Sequence, residues 1–282
     1  MAAALGSISQ IERELGAQRL DPESGDPFQR TSVMTHCAWV PEAWVEAVED
    51  VLSGLAERHP SRTIVLFPQS GGEGLEGSVE SDALPTREGL NFCTDTIRIR
   101  LHGTSAEHPT SVVEPLLVPD LPVFLRWRGV PPFGGAAFAE LTGVADRLIV
   151  DSTEWPGLPK PYARMVDSFE RIAVSDIAWA RTSRWRSMLA SLWPAIGTVE
   201  RIKVTGTEAQ AHLLAGWLRS RLEKPIELEH EPSNKLVGVE LDGKPAPFPP
   251  GEAPSPADLL SDELDKVSRD PVYEAAVLAA VT

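Results

Sequence analysis

Two cysteines in 282 residues exclude a disulfide framework of the secreted kind. Cys37 and Cys93 each fall in a strand-like segment, where a reduced buried thiol is the usual state. Lysine is nearly as scarce, at six of 26 cationic residues. Arginine therefore carries the positive charge, which suits fixed ion pairs better than a solubilising coat. No stretch of about 18 apolar residues occurs, and the first residues lack both a charged start and a long apolar core. The expected location is cytoplasmic, with no membrane partner. A net charge of -15 argues against holding nucleic acid or an anionic membrane through a general basic field. Also absent are G-x-S-x-G, a Walker loop, H-E-x-x-H and cysteines paired at zinc spacing. Gly71-Gly72-Glu73-Gly74 has no following lysine and no G-x-G-x-x-G spacing, so it reads as a turn. The histidines at 36, 59, 102, 108, 212 and 230 form no local ligand set, and a pairing of Cys93 with His102 or His108 reads as structural. No catalytic residue, metal or cofactor is implied.

What is present alternates in period. Residues 7–19 place Ile8, Ile11 and Leu15 at helical spacing, an arm for packing on the body or a neighbour. Thr31 to Val40 reads as a strand, Pro41 opens a helix from Glu42 to Arg58, and Thr63 to Phe67 is an apolar run suited to a buried parallel strand. Glu76 to Ala83 and Asn91 to His102 pair as antiparallel strands, with Arg98 and Arg100 facing away from the core. After a short helix at Pro109 to Glu114, Leu121 to Trp127 and Asp146 to Asp151 are further strands, separated by a helix opened at Gly134-Gly135. The predicted class is α/β, a mixed, mostly parallel sheet with flanking helices, plus a smaller α/β lobe. The proline- and glycine-rich Trp155 to Pro161 suggests domains at 1–160 and 161–282.

In that lobe Thr198 to Val204, Ile226 to His230 and Lys235 to Leu241 read as strands around a helix from Thr207 to Leu222. Pro245 to Pro256 is a loop, and Ser255-Pro256 and Asp270-Pro271 each cap a closing helix.

Two places could hold a partner. The first is Arg126, Trp127 and Arg128, at the carboxyl end of a strand, where open α/β sheets bind anionic groups or ligands. The second is Asp176 to Trp193, read as one helix. At about 100° per residue, Ile177, Ala178, Trp185, Met188, Leu189 and Leu192 share a broad apolar face opposite Ser183, Ser187 and Ser191. Arg181 falls inside the apolar face, where an unpaired guanidinium is costly, so it needs an acidic or carbonyl partner such as Asp146 or Asp151. Arg184 and Arg186 flank it and reach toward solvent.

The run Asp176-Ile177-Ala178-Trp179-Ala180-Arg181 with Trp185-Arg186 resembles the signature of the OpcA family, the glucose-6-phosphate dehydrogenase assembly proteins. His59-Pro60-Ser61-Arg62 before Thr63-Ile64-Val65, Pro115 to Val123, and Ala145 to Ser152 occur in that family's order. The resemblance spans roughly residues 30 to 240. Ser183 departs from the short Thr-Pro turn of the family, and its redox cysteines are not matched here, which argues against redox control.

The resemblance implies a noncatalytic assembly factor or allosteric activator of glucose-6-phosphate dehydrogenase, at the entrance to the oxidative pentose phosphate pathway. That enzyme is the implied partner, with Arg126, Trp127, Arg128, Arg181, Arg184 and Arg186 as contact candidates. Two other readings stay open. One is a sensor or enzyme taking a sugar phosphate at the Arg126/Arg128 edge; the other is a structural protein that self-associates, for instance as a homodimer.

Overall fold

The computed structural model describes residues 5–18, 32–48, 59–85 and 91–282. Seven strands form the larger sheet: β1 (Met34–Trp39), β2 (Ser61–Pro68), β3 (Gly74–Pro85), β4 (Asn91–His102), β5 (Val123–Trp127), β6 (Arg147–Val150) and β7 (Ala173–Asp176). Their order is β3-β4-β2-β1-β5-β6-β7. Parallel pairing joins β4 to β2, β2 to β1, β1 to β5 and β5 to β6, while β3 returns antiparallel on β4. The central strands are apolar on both faces because both faces are covered, as a parallel sheet requires. Ile64, Val65, Leu66, Ile97 and Ile99 are all fully buried. The sheet is thus mostly parallel, as expected, with every strand read from the sequence in place. β7 is an addition, in a stretch whose four residues gave no period.

From β1 the sheet grows one way through β2 and β4 and the other way through β5 and β6. The reversal lies between β1 and β5, whose last residues, Trp39 and Trp127, are register partners. Such a switch point is where doubly wound sheets open a ligand crevice. Beside it the helical turn begun by Glu42–Trp44 lays Val48 on Ala38, Val40, Val65 and Phe67. The rest of the helix read from Glu42 to Arg58, beyond residue 48, and the side chain of Cys93 lie outside the described residues.

Helix α1 (Ile8–Ala17), capped by Ser7, buries Ile11 and Leu15 and packs on β3, so the arm folds onto its own chain. Gly77 makes this approach feasible: a Cβ there would stand 2.6 Å from Ile11 Cδ1.

The chain divides into two compact units, Met1–Ile149 and Val150–Thr282, a little before the break expected near residue 160. In the second, strands β8 (Arg201–Gly206), β9 (Glu227–Pro232), β10 (Gly238–Leu241) and the two-residue β11 (Lys244–Pro245) form a sheet ordered β11-β10-β8-β9. Alternation in β8 leaves Lys203 on the open face, with its Nζ 2.9 Å from Glu231, 3.8 Å from Glu229 and 4.0 Å from Glu240. The other face takes helix α2 (Glu208–Leu222), started by a Thr207/Gln210 capping box. Helix α3 (Pro256–Leu264) has a similar box at Ser255, and α4 (Pro271–Val281) starts at the Asp270 cap. Both closing helices stand where the cap-and-proline pairs put them.

Helices α2 and α4 meet at Gly216, where an added Cβ would lie 2.1 Å from the Ala276 carbonyl oxygen and 3.0 Å from Ala280. Helix propensity favours alanine over glycine by about 1 kcal/mol, but a backbone clash cannot be relieved by a rotamer and overpacking costs about 1–3 kcal/mol. The clash wins. Gly216→Ala is expected to lower the thermal unfolding midpoint by several degrees, read by circular dichroism; an unchanged or raised midpoint would mean the helices are not in contact there.

Candidate functional site

The signature segment is not one helix. β7 ends at Asp176, which caps a short helix, α5 (Ile177–Arg181), by accepting from Ala178 N at 2.9 Å. A second helix, α6 (Ser183–Ala190), follows the break at Thr182, whose Oγ1 donates to the Trp179 carbonyl at 2.8 Å. Such a local bond competes with the helical ladder. The break corrects the reading of Arg181. It ends α5 rather than lying inside one long apolar stripe, and with its side chain 28% exposed it is still substantially buried, as expected. Its partner is nonetheless one of the two acids the sequence offered. Arg181 Nη1 donates to both oxygens of Asp151 at 2.8 Å, and Asp151 also accepts from the amide and hydroxyl of Thr153. Asp146 is engaged elsewhere, accepting from Val123 N at 2.8 Å.

Asp176 does more than cap. Its Oδ1 accepts from Ser152 N (3.0 Å) and Ala178 N (2.9 Å), and its Oδ2 from Ser152 Oγ (2.6 Å) and Tyr273 OH (3.3 Å). Tyr162 OH stands 2.7 Å from Ser152 Oγ. All four residues are buried. Burial first, then the neighbouring Asp151, pushes the Asp176 carboxyl up to about 7, against about 3.9 for a free aspartate. Burial also raises both tyrosines. Sequence reasoning missed this cluster because Ser152, Tyr162 and Tyr273 lie far apart in the chain. The available signal was that two tyrosines, the only ones in the sequence, each carry a phenol that needs a partner when buried.

Arg184 and Arg186 do not run free into solvent. The Arg186 guanidinium lies 3.4 Å over the Trp179 ring, its Nε donates to Thr182 Oγ1 at 3.0 Å, and burial lowers its pKa to about 10. Trp179 in turn donates Nε1 to Asp270 at 2.9 Å, joining α5 to the start of α4. Arg184 donates to the carbonyls of Pro249 (2.9 Å), Pro250 (2.7 Å) and Gly251. This straps the proline-rich loop to α6, where Phe248 meets Trp185 edge-on at 5.4 Å. Phe248 is 65% exposed and Trp193, beyond α6, is 68% exposed.

The strand-end trio, put forward as an edge open to a partner, is buried: Arg126, Trp127 and Arg128 are each less than a tenth exposed. Trp127 stacks on Trp39 at 4.9 Å, Phe138 meets Trp127 edge-on at 5.3 Å, and Phe133 meets Phe138 at 5.5 Å. The Arg128 guanidinium covers the Trp44 ring at 4.5 Å. Aromatic packing therefore lines the switch point where a nucleotide or sugar phosphate would be sought. Behind it, burial followed by Arg126 and His59 pushes His36 down to about 3, so this ring is neutral. The neighbouring crevice, of about 400 Å³, is lined by Glu42, Ala43, Val45, Glu46, Phe67, Gln69 and Arg100. Two carboxylates against one guanidinium make it a poor receiver of a phosphate dianion. Among the described residues, no group of three or more His, Cys, Asp or Glu side chains is placed to hold a metal ion, and no helix is long and apolar enough to cross a membrane.

Residues 53–167 match the family described as glucose-6-phosphate dehydrogenase subunit N-terminal domain, and residues 172–248 match its C-terminal domain. Three curated relatives carry the name OxPP cycle protein OpcA. The one from Nostoc punctiforme is 29% identical over 191 residues, covering 63% of this chain and 41% of the relative. The one from a Synechocystis strain is 26% identical over 194 residues, at 63% and 40% coverage. The third, from Synechococcus elongatus, is 23% identical over 223 residues, at 69% and 50%. The chain thus spans half or less of the length of these relatives.

Two outcomes follow from the geometry. Arg181→Met keeps the aliphatic packing that Arg181→Ala loses, while both strand Asp151. Chemical denaturation should show Met as the milder change, with losses of about 1–3 kcal/mol, below the roughly 3–5 of a fully buried pair; Ala at or below the cost of Met would remove Arg181 from the packed surface. Cys37 is 1% exposed and burial raises its thiol to about 12. Iodoacetamide should leave it unmodified in the folded chain and label it in denaturant, read by peptide mass; ready labelling of the folded chain would contradict its burial.

Proposed function

Because this chain belongs to the OpcA family of glucose-6-phosphate dehydrogenase assembly proteins, we propose that it is a noncatalytic subunit of that dehydrogenase, favouring its assembled, substrate-competent state. The chain would bind that state more tightly than the slack one, and the population would follow the difference in affinity. It would work in the oxidative pentose phosphate pathway, in the cytoplasm, with no cofactor of its own. The observation that carries this reading is the stacked Trp39/Trp127 lining of the switch point. A doubly wound sheet whose switch-point strand ends are packed with aromatics, beside a crevice that carries two carboxylates, is suited to presenting surface rather than to processing a phosphorylated small molecule. The buried state of Arg126 and Arg128 also counts against the sugar-phosphate alternative at that edge.

For the contact itself, the support favours the second unit. Of the six residues put forward, Arg181, Arg184 and Arg186 keep partial exposure. They lie on α5 and α6, the elements next to Phe248 and Trp193, and aromatic and arginine side chains are the usual anchors of interfaces. Arg126, Trp127 and Arg128 would reach a partner only if the first unit opened.

The test is to add the purified chain to its dehydrogenase. Apparent KM for glucose 6-phosphate should fall, or the mass by light scattering should rise. By reciprocity the substrate should tighten the complex by the same factor, typically about 5 to 150-fold. Phe248→Ser with Trp193→Ser should weaken the complex at least tenfold with an unchanged circular dichroism spectrum. Arg126→Glu, in contrast, should unfold the first unit, since a buried cation is being replaced by an anion. Identical kinetics and mass with and without the chain would overturn the assignment. Light scattering of the chain alone reads the homodimer alternative.

A further inference from the structure

Behind the signature segment, four polar side chains without access to water come from four elements: Ser152 in the turn after β6, Tyr162 in the helix Lys160–Met165, Asp176 at the end of β7, and Tyr273 in α4. The hydrogen-bond geometry serves two proton counts. With Asp176 ionised, Tyr162 donates to Ser152, and Ser152 and Tyr273 both donate to Asp176 Oδ2. With a proton on Oδ2, the carboxyl donates to Tyr273 OH, whose own proton turns to Met165 Sδ, 3.7 Å away. Ser152 keeps its bond to Tyr162 in either state, so neither leaves a buried hydroxyl stranded.

The charges around the cluster decide which state is tighter. Asp151 lies on the Ser152 turn, and its cation, Arg181, is spent on it. Glu208 from the start of α2 and Glu263 from α3, the latter paired with Lys266, also act on the tyrosines. Acids thus face the cluster from three directions. We propose that the Ser152, Tyr162, Asp176 and Tyr273 cluster is a proton-operated latch. It ties the C-terminal helix to the signature segment firmly when Asp176 carries a proton and more loosely when it does not.

The sign follows from linkage. A carboxyl held at about 7 when closed but near about 3.9 when opened binds a proton only in the closed form between those values. Closure is therefore strongest on the acid side and weakens as pH rises through about 7. Hydrogen exchange of the α4 amides in the full chain, measured at pH 6 and pH 8 and corrected for the hydroxide dependence of exchange, should show the opening constant rising about tenfold. Asp176→Asn, of the same shape, should remove that step. If the variant does not fold, the carboxyl carbon shift of Asp176 in the wild-type chain reads the same property, with an expected midpoint near 7. An opening constant equal at the two pH values, a step retained in Asp176→Asn, or a carbon midpoint below pH 5 would each overturn the latch. None of these measurements involves a partner, so their failure leaves the docking assignment standing.

Discussion

A carboxylate removed from water must be met by donors, and in the second unit that demand is concentrated on Asp176. Its four acceptor contacts come from the turn after β6, the first turn of α5 and the body of α4. Each contact fixes one element against another, and leaving any donor unpaired in that site would cost more than a typical surface bond contributes. Asp151 and Arg181 form an outer layer of the same arrangement, with the guanidinium neutralising one acid and leaving the other to hydroxyls and amides. The whole signature segment inherits its position from this division of partners.

The first unit shows the opposite use of polar and aromatic groups. Its strand order is that of a nucleotide-binding sheet, yet its switch point holds stacked indoles and a guanidinium lying over Trp44. An architecture does not carry its common activity with it. What it carries here is a buried parallel core edged by the antiparallel β3, on which α1 folds through the space left at Gly77.

Strands β1, β2, β4, β5 and β6 were legible because apolar runs and alternation report burial directly. The same holds for α2 and the two closing helices, whose caps are local chemistry. The choice of Asp151 for Arg181 was legible for a related reason, since a cation within an apolar pattern needs a nearby acid. Three things were not. The signature helix breaks at Thr182, whose hydroxyl bonds back to Trp179, which no period reveals, and the azimuth assigned to Arg181 assumed an unbroken helix. Arg126, Trp127 and Arg128 read as a binding edge because their strand ends there, whereas Trp127 is packed by Trp39 and Phe138 and Arg128 lies over Trp44, none of them near in sequence. The Asp176 cluster joins residues from 152 to 273, a range over which spacing holds no information.

Arg184 and Lys203 are both cations on an acidic chain, but they are held by different physics. Lys203 sits among three glutamates on an open sheet face, a long-range Coulombic arrangement that dissolved ions weaken. Arg184 spends its donors on three neutral carbonyls of the loop at Pro249 to Gly251. Those contacts are short-ranged and leave the guanidinium's charge uncancelled. The proline loop therefore stays fastened in brine as in dilute buffer, and it keeps beside the exposed Phe248 a positive charge that nothing in the strap has neutralised.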